Sequence, residues 1–276
     1  MSRGQQERRK RADLARLKGA IARLERVPAR LEGRAGAETA PFSVGLDAID
    51  ERIAGTDFRH QVHEVCPTGF SDGAAARGFC LGLVARLYDA TPAPGPVLWC
   101  QSALTVLDYG RPYGQGLGDL GLGPRHFLFA ALAREDDVLW ALEEGLKARA
   151  LAAVIGDVSR AGLTESRRLA LAAAASGIPC FLIRPFCERM ASAAATRWRV
   201  TARPSAAPAR DARAPGRARW QVDLTRNRGG RLGSFDIEWN HETRRFHLAE
   251  TLADRAADAR RNPGDWEQAD QLRLSA

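Results

Sequence analysis

The stretch Cys66-Pro-Thr-Gly-Phe-Ser-Asp-Gly-Ala-Ala-Ala76 joins a predicted strand, Val62–Cys66, to a predicted helix, Ala74–Tyr88. A glycine-containing loop between a strand and a helix is the position of a phosphate-binding P-loop. A working P-loop also needs a lysine and a serine or threonine directly after its last glycine. Two alanines stand there in this chain. The stretch is therefore either a nucleotide site that has lost its chemistry or an ordinary turn.

We align the P-loop pattern so that its last glycine is Gly73. Thr68 then stands at the first glycine, Ala74 at the lysine and Ala75 at the hydroxyl position, so one of the four defining positions is kept. Gly69 and Gly73 still allow a turn that binds an anion weakly. The pattern does not support tight binding of Mg-ATP.

Two further positions of an ATPase site fall at the ends of other predicted strands. Asp157 ends the strand Ala153–Asp157, where an aspartate would orient Mg²⁺, although aspartate is also a common turn or capping residue. The strand Val97–Gln101 ends in Gln101, where ATPases of the recombinase type carry a catalytic glutamate. A glutamine cannot accept a proton from water. We therefore predict a pseudo-ATPase that has no catalytic residue, no metal and no cofactor.

From residue 42 onward predicted strands and helices alternate with short links, which favours an α/β fold with a mostly parallel sheet flanked by helices. Residues 109–118 are rich in glycine and indicate no definite element. Thr164 is the predicted cap of its helix. The remaining predicted elements up to residue 183 are the strands His126–Ala130 and Cys180–Ile183 and the helices Asp136–Arg149 and Thr164–Ser176.

After residue 184 the pattern changes to alternating strands, which favours an antiparallel region. Arg197–Thr201 and Arg219–Thr225 are two of these strands, and Ser234–Trp239 with Arg245–Leu248 forms a predicted hairpin. The chain thus divides into a basic amphipathic N-terminal helix at 1–34, a core at 35–250 and a polar tail at 251–276.

The two ends of the chain carry candidate contact residues. The N-terminal helix has an apolar stripe at helical spacing, which must pack on the body or on a partner protein. Its members are Leu14, Leu17, Ile21 and Leu24. Trp266 stands alone in the polar tail, either as an anchor for a partner or as a contact that folds back onto the core.

The net charge of +8 is unevenly distributed. Residues 1–34 hold 11 Lys/Arg against 4 Asp/Glu, and residues 184–231 hold 12 Arg against 3 Asp/Glu. Local basic segments suit nucleic acid or an acidic protein, whereas an arginine-rich composition with few lysines is also typical of a GC-rich genome. The candidate DNA or partner contacts are Arg8, Arg9, Arg11, Arg197, Arg199 and Arg219.

The remaining composition favours a globular cytoplasmic protein. No apolar run reaches the roughly 18 residues of a membrane span, and the N-terminus has no apolar core of a secretory signal. Five cysteines have no metal-like spacing, and we predict buried thiols in a reducing cytosol.

The order of these elements resembles the RecA-type recombinases over residues 42–248. The matching segments are Phe42–Asp50, Phe58–Val65, Leu120–Pro124 and Asn227–Gly230. Within that superfamily, the degenerate P-loop, the alanine-containing helix after it and the stretch Leu163–Pro179 are similar to the ImuA family. The stretch between Asp157 and Ile183 is shorter than in recombinases, and Arg184-Pro185 replaces their polar pair.

The resemblance implies an accessory role in DNA repair after DNA damage: error-prone translesion synthesis, and hence mutagenesis, in the SOS response. It implies three partners, namely an ImuB-like inactive Y-family polymerase homologue, an error-prone replicative-type DNA polymerase and the RecA recombinase. It also allows non-specific contacts to DNA, and it implies no association with a membrane. The alternative is a weak DNA-dependent ATPase or a recombinase regulator of the RecA superfamily.

Overall fold

The computed structural model describes residues 12, 15–20, 22–23, 42–91, 94–185, 190–205 and 216–249. The strands of these ranges are β1 Val62–Pro67, β2 Val97–Ser102, β3 Phe127–Leu132, β4 Ala153–Asp157, β5 Cys180–Ile183, β6 Thr196–Arg203, β7 Arg219–Asn227, β8 Gly233–Asn240 and β9 Arg245–Leu248. They form one sheet in the order β3-β2-β4-β5-β1-β6-β7-β8-β9. Neighbours from β3 to β6 are parallel, and those from β6 to β9 are antiparallel. The predicted fold class is confirmed.

Helices cover both faces of the parallel part of the sheet. They are α1 Asp47–Ile53, α2 Gly73–Asp89, α3 Ala103–Tyr109, α4 Gly114–Asp119, α5 Glu135–Lys147 and α6 Leu163–Ser176. The apolar side chains of α2 pack on one face of the sheet. Those of α5 and α6 pack on the opposite face. The two cores are separated by the sheet, as in other α/β folds with helices on both faces.

The antiparallel strands have one buried and one polar face, because side chains alternate along each strand. Trp198, Trp220 and Phe246 point to the buried face and lie 5.6, 6.5 and 5.6 Å from the ring of Phe79 on α2, measured between ring centroids. These aromatic contacts hold the antiparallel strands against α2. The opposite face of these strands carries mostly charged and polar side chains.

Two local predictions differ from the structure. Residues 109–118, for which the sequence indicated no element, contain the end of α3 and most of α4. The start of α3 carries a recognisable signal, since the hydroxyl of Ser102 accepts a hydrogen bond from the N–H of Thr105 at 3.1 Å. Thr164 does not cap α6, which begins at Leu163. The Glu165 carboxylate accepts a bond from the N–H of Gly162 instead, so no hydroxyl cap is needed.

Residues 15–20 form part of the predicted N-terminal helix and lie against the body of the protein. Leu17 is buried in the apolar cluster beneath α5 and α6. The ammonium group of Lys18 lies 5.1 Å from the ring centroid of Trp140 and 3.8 Å from the Glu144 carboxylate. The other members of the apolar stripe, Leu14, Ile21 and Leu24, lie outside the described residues. A partner role for the stripe stays a prediction.

The cysteines follow the prediction in part. Cys80, Cys100 and Cys180 are free and buried. Cys66 is disulfide-bonded, so the predicted free thiol is wrong for this residue. The spacing of cysteines along a chain does not determine which of them meet in space. Cys187 lies outside the described residues.

Candidate functional site

The candidate site lies at the edge of the sheet where the parallel strands β1, β2 and β4 end. In open parallel sheets, ligands bind outside the carboxyl ends of the strands. The loop from Thr68 to Asp72 follows β1 and leads directly into α2. This is the place of a P-loop. Residues Phe70–Asp72 form a 3-10 turn instead of an open phosphate cradle.

A carboxylate of the protein occupies one hydrogen-bond donor of this loop. Asp72 accepts the N–H of Gly69 at 3.0 Å with one carboxylate oxygen and the N–H of Ala202 at 2.9 Å with the other. Its side chain is almost wholly buried. An incoming phosphate would meet a fixed negative charge here and would compete with it for the Gly69 N–H.

The N-terminus of α2 is covered by the ring of Tyr109 from α3. A Cβ atom added to Gly73 would lie 2.2 Å from Cε1 of Tyr109, which is far inside van der Waals contact. Gly73 has an ordinary helical φ of −58°, so its backbone conformation does not require glycine. The one retained glycine of the P-loop pattern is therefore explained by the close approach of Tyr109.

A guanidinium of the protein stands beside Asp157, where Mg²⁺ would be oriented. Arg77 on α2 donates to Oδ1 of Asp157 at 3.0 Å and to the carbonyl of Gly73 at 2.9 Å. Its guanidinium also lies 3.9 Å from the ring centroid of Tyr109. Gln101 and Trp99 on β2 donate to Oδ2 of Asp157 at 2.9 and 3.4 Å. Both carboxylate oxygens of Asp157 are thus engaged.

The surroundings of Asp157 affect the pKa of its carboxyl group in two opposite directions. Burial raises the pKa of its carboxyl group, and Arg77, Gln101 and Trp99 act in the opposite direction. The residue is 2% exposed. A buried carboxylate that is held by one internal cation and two neutral donors has no free oxygen for a metal. These residues do not fit a magnesium nucleotide.

The other predicted positions of the degenerate nucleotide site lie around this cluster. The hydroxyl of Thr68 lies 2.7 Å from that of Thr201 on β6, so it joins two strands. Ala74 is exposed and Ala75 is buried. The structure brings Gly69, Gly73, Gln101 and Asp157 together at one edge, as the alignment implied. The functional meaning of these positions stays a prediction.

The edge next to Tyr109 presents apolar side chains to solvent. Helix α3 has no buried residue. Its Leu104 and Leu107 are 64% and 80% exposed, and Phe70 and Tyr113 beside it are 67% and 72% exposed. The Phe70 and Tyr109 ring centroids are 5.1 Å apart. A helix that has no fully buried residue and exposes leucines is typical of a surface that binds another protein.

The predicted basic contacts of the core are engaged with carboxylates. Arg197 is buried, and its Nε donates to Glu64 at 2.7 Å. Arg199 donates to Asp223 at 2.8 Å, and Nε of Arg219 lies 3.9 Å from Glu238. Arg8, Arg9, Arg11 and Trp266 lie outside the described residues. Contacts of all these residues to DNA or to a partner stay predictions.

Sequence reasoning did not identify Asp72, Arg77 or Tyr109 as parts of the site. A signal for Arg77 exists, since it stands four residues after Gly73 and one helical turn places it over the loop. Asp72 directly precedes the last glycine of the aligned pattern, where its carboxylate can bond back to the loop. Tyr109 carries no such signal, because it reaches the site from a different strand–helix connection.

The similarity of the chain to known proteins indicates its family. No family model matches the chain. The Protein ImuA of Caulobacter vibrioides strain NA1000 / CB15N is 33% identical over 222 residues, which cover 73% of this chain and 86% of that protein. The Protein ImuA of strain ATCC 19089 / CIP 103742 / CB 15 matches to the same extent. Within the described ranges, no helix is both long and apolar enough to span a bilayer. The chain therefore belongs to the ImuA family of DNA-damage-induced mutagenesis proteins.

Proposed function

We propose that this protein is a non-catalytic accessory component of a damage-induced translesion synthesis assembly. It acts by binding other proteins through an α/β core that has lost its ATPase chemistry. The proposal rests on one observation: side chains of the protein itself occupy the position of a bound nucleotide. Asp72 takes the loop amide that phosphate would need, and Arg77 takes the carboxylate that would orient Mg²⁺.

Mg-ATP is expected to leave the stability of the protein unchanged. A ligand at about 100 times its Kd raises the free energy of unfolding by about 2.7 kcal/mol, and thermal unfolding detects such a change easily. Because the Gly69 amide and both oxygens of Asp157 are already engaged, we expect no such rise with millimolar Mg-ATP. We also expect no ATP turnover, with or without DNA.

The same experiment includes the Asp157→Ala variant as its matched control. Any trace of turnover that persists in this variant comes from a contaminating ATPase. Turnover that is present in the wild type and abolished by Asp157→Ala would overturn the proposal in favour of an active ATPase.

The partner that we propose for the exposed leucines of α3 is an ImuB-like inactive polymerase homologue. Leu104 and Leu107 lie three residues apart, so both project from one face of α3. The exposed parts of these two leucines do not stabilise the fold, because apolar surface lowers the free energy only when it is removed from water. A partner that covers them would supply that burial, and aromatic Phe70 and Tyr113 lie beside them as further anchors.

Replacing Leu104 and Leu107 together with aspartate is expected to weaken capture of the ImuB-like partner by about 10-fold or more, since central apolar contacts dominate interfaces. The measurement is the Kd between the purified full-length proteins. Leu171→Asp is the matched control, because Leu171 on α6 is 73% exposed but lies on a different face. Equal Kd values for the double variant and the wild type would exclude α3 from the interface.

A further inference from the structure

Three arginines converge on one short segment at the start of β6. Arg197 donates to the carbonyl of Met190 at 3.0 Å, Arg226 to that of Ser192 at 2.8 Å and Arg228 to that of Ala193 at 2.8 Å. The three carbonyls lie within four residues of each other. The guanidinium groups are therefore close neighbours, although Arg226 and Arg228 come from the end of β7 and the turn after it.

The positive charge of this cluster is not balanced by the described residues around it. Glu64 is the carboxylate within it, and it bonds Arg184 and Arg197. Arg184 is wholly buried, and its Nε finds no hydrogen-bond partner among the described residues. Among the residues that the structure describes, these four guanidinium groups thus share one carboxylate. Arg226 and Arg228 have no ion pair within the ranges that the structure describes.

The electrostatics of Arg226 reflect this imbalance. Burial lowers the pKa of its guanidinium, Arg197 and Arg228 lower it further, and Glu64 alone opposes them. Like charges that are held close together in a partly buried place are unfavourable until an anion joins them. Arg226 is half-buried and Arg228 is exposed, so an anion can reach both from solvent.

The N–H groups of Arg226 and Arg228 that bond no described residue indicate which kind of anion would bind there. A guanidinium has five N–H donors in a planar fork, and the side chains of Arg226 and Arg228 each make one hydrogen bond to the described residues. Such forks bind phosphate oxygens in pairs. A net charge of several units also suits a phosphate group better than a single carboxylate.

We propose that Arg226 and Arg228, backed by Arg184 and Arg197, form a binding site for a phosphate group. The phosphate can belong to the backbone of a single-stranded nucleic acid or to a free inorganic polyphosphate. This site is separate from the degenerate nucleotide site and from the exposed leucines of α3. Its failure would leave the proposed partner binding intact, because the tests of the two proposals use different variants and different ligands.

The test measures binding of a fluorescent single-stranded oligonucleotide by the full-length protein across a range of salt concentrations. In Arg226→Gln/Arg228→Gln we expect affinity to fall about 10-fold or more. We also expect the slope of log K against log[salt] to fall by about 1.4, which corresponds to two lost phosphate contacts on a single strand. Inorganic tripolyphosphate added as a competitor separates the two sources of phosphate. Strong competition indicates a site for free polyphosphate, and weak competition indicates a nucleic-acid backbone.

The matched control is Arg203→Gln/Arg217→Gln, which changes the net charge equally on the same part of the sheet. Arg203 pairs with Asp236, and Arg217 pairs with Glu238, so both charges are already compensated. Equal losses in the two double variants would show a diffuse charge effect and overturn the site. Polyglutamate that displaces the oligonucleotide better than tripolyphosphate would overturn it in favour of an acidic protein ligand.

Arg226 and Arg228 also hold the 190–193 segment, so a second variant must separate a loss of structure from a loss of binding. Arg226→Lys/Arg228→Lys keeps both charges and removes the planar forks. We expect this variant to keep most of the salt dependence and to lose part of the affinity. Two results together would exclude recognition by the guanidinium forks. In the first, the glutamine variant loses binding and has a lowered Tm. In the second, the lysine variant binds with full wild-type affinity.

Discussion

Replacing Glu64 with glutamine is expected to lower the free energy of unfolding by about 3–5 kcal/mol, the cost of breaking a buried ion pair by removing one partner. Glu64 is wholly buried on β1, and it binds Arg184 with one carboxylate oxygen and Arg197 with the other. Arg184 is also wholly buried. Without the carboxylate, two guanidinium charges stay in the protein interior with no compensating charge.

Urea unfolding of the wild type and the variant measures this loss. Glu144→Gln is the control, because it removes an exposed pair with Lys147 and is expected to cost at most about 0.5 kcal/mol. A triple variant, Glu64→Leu with Arg184→Met and Arg197→Met, removes all three charges together. We expect it to recover most of the stability, since apolar replacements of buried ion networks are often neutral or stabilising. A Glu64→Gln variant as stable as the wild type would contradict the ion network.

Replacing Arg77 with methionine is the second change with a large expected effect, a loss of about 3–5 kcal/mol at neutral pH. The substitution keeps an unbranched apolar chain in α2 but leaves the buried carboxylate of Asp157 without its cation. Gln101 and Trp99 still donate to Asp157, but neither carries a charge. The contact between the guanidinium and the Tyr109 ring is lost as well.

The pH dependence of this loss has a definite sign. Burial already raises the pKa of Asp157 above its ordinary value of 3.8, and Arg77 opposes that rise. Without Arg77 the folded-state pKa is higher still. Between the unfolded and folded pKa values the unfolded chain has released the proton that the folded chain retains, so stability falls as pH rises through this window. We therefore expect the deficit of Arg77→Met to be largest at neutral pH and to shrink on acidification towards pH 4.

The Asp157→Asn substitution in the Arg77→Met background provides the cross-check. An asparagine carries no charge, so the double variant is expected to regain much of the lost stability and to lose the added pH dependence. A double-mutant cycle of unfolding free energies measures the coupling between the two residues. A coupling near zero would mean that Asp157 does not depend on Arg77, and the view of Arg77 as an internal substitute for Mg²⁺ would fail.

The internal charges also bear on how a RecA-type fold can serve without a nucleotide. Here Asp72 and Arg77 supply the negative and positive charges from within the chain. In the proposed function, α3 presents its exposed leucines at this edge without a bound nucleotide. This is consistent with a protein that assembles others and does no chemistry itself.

The sequence predicted the strands and the long helices well, because their signals are local. Ala153–Asp157 and Cys180–Ile183 have the same bounds in the structure as in the prediction. Helix α3 was not predicted, because it is short and has no fully buried residue, so it lacks a clear amphipathic pattern. The cap of α6 was assigned wrongly, because α6 begins at Leu163, before Thr164, and the side-chain contact at its start is that of Glu165 with the N–H of Gly162.

By itself the sequence determined the α/β class, and residue types along short local stretches were enough to predict that the P-loop lysine, the hydroxyl and the catalytic glutamate are replaced. Only the tertiary structure decided which charges meet. Glu64 and Arg197 are 133 residues apart in the chain, and Arg77 and Asp157 are 80 apart. Their pairing depends on the order of strands in the sheet, which no local pattern encodes. For this reason the structure buries Arg197, a predicted contact residue, in a bond to Glu64, and among the described residues Arg226 and Arg228 have no ion pair.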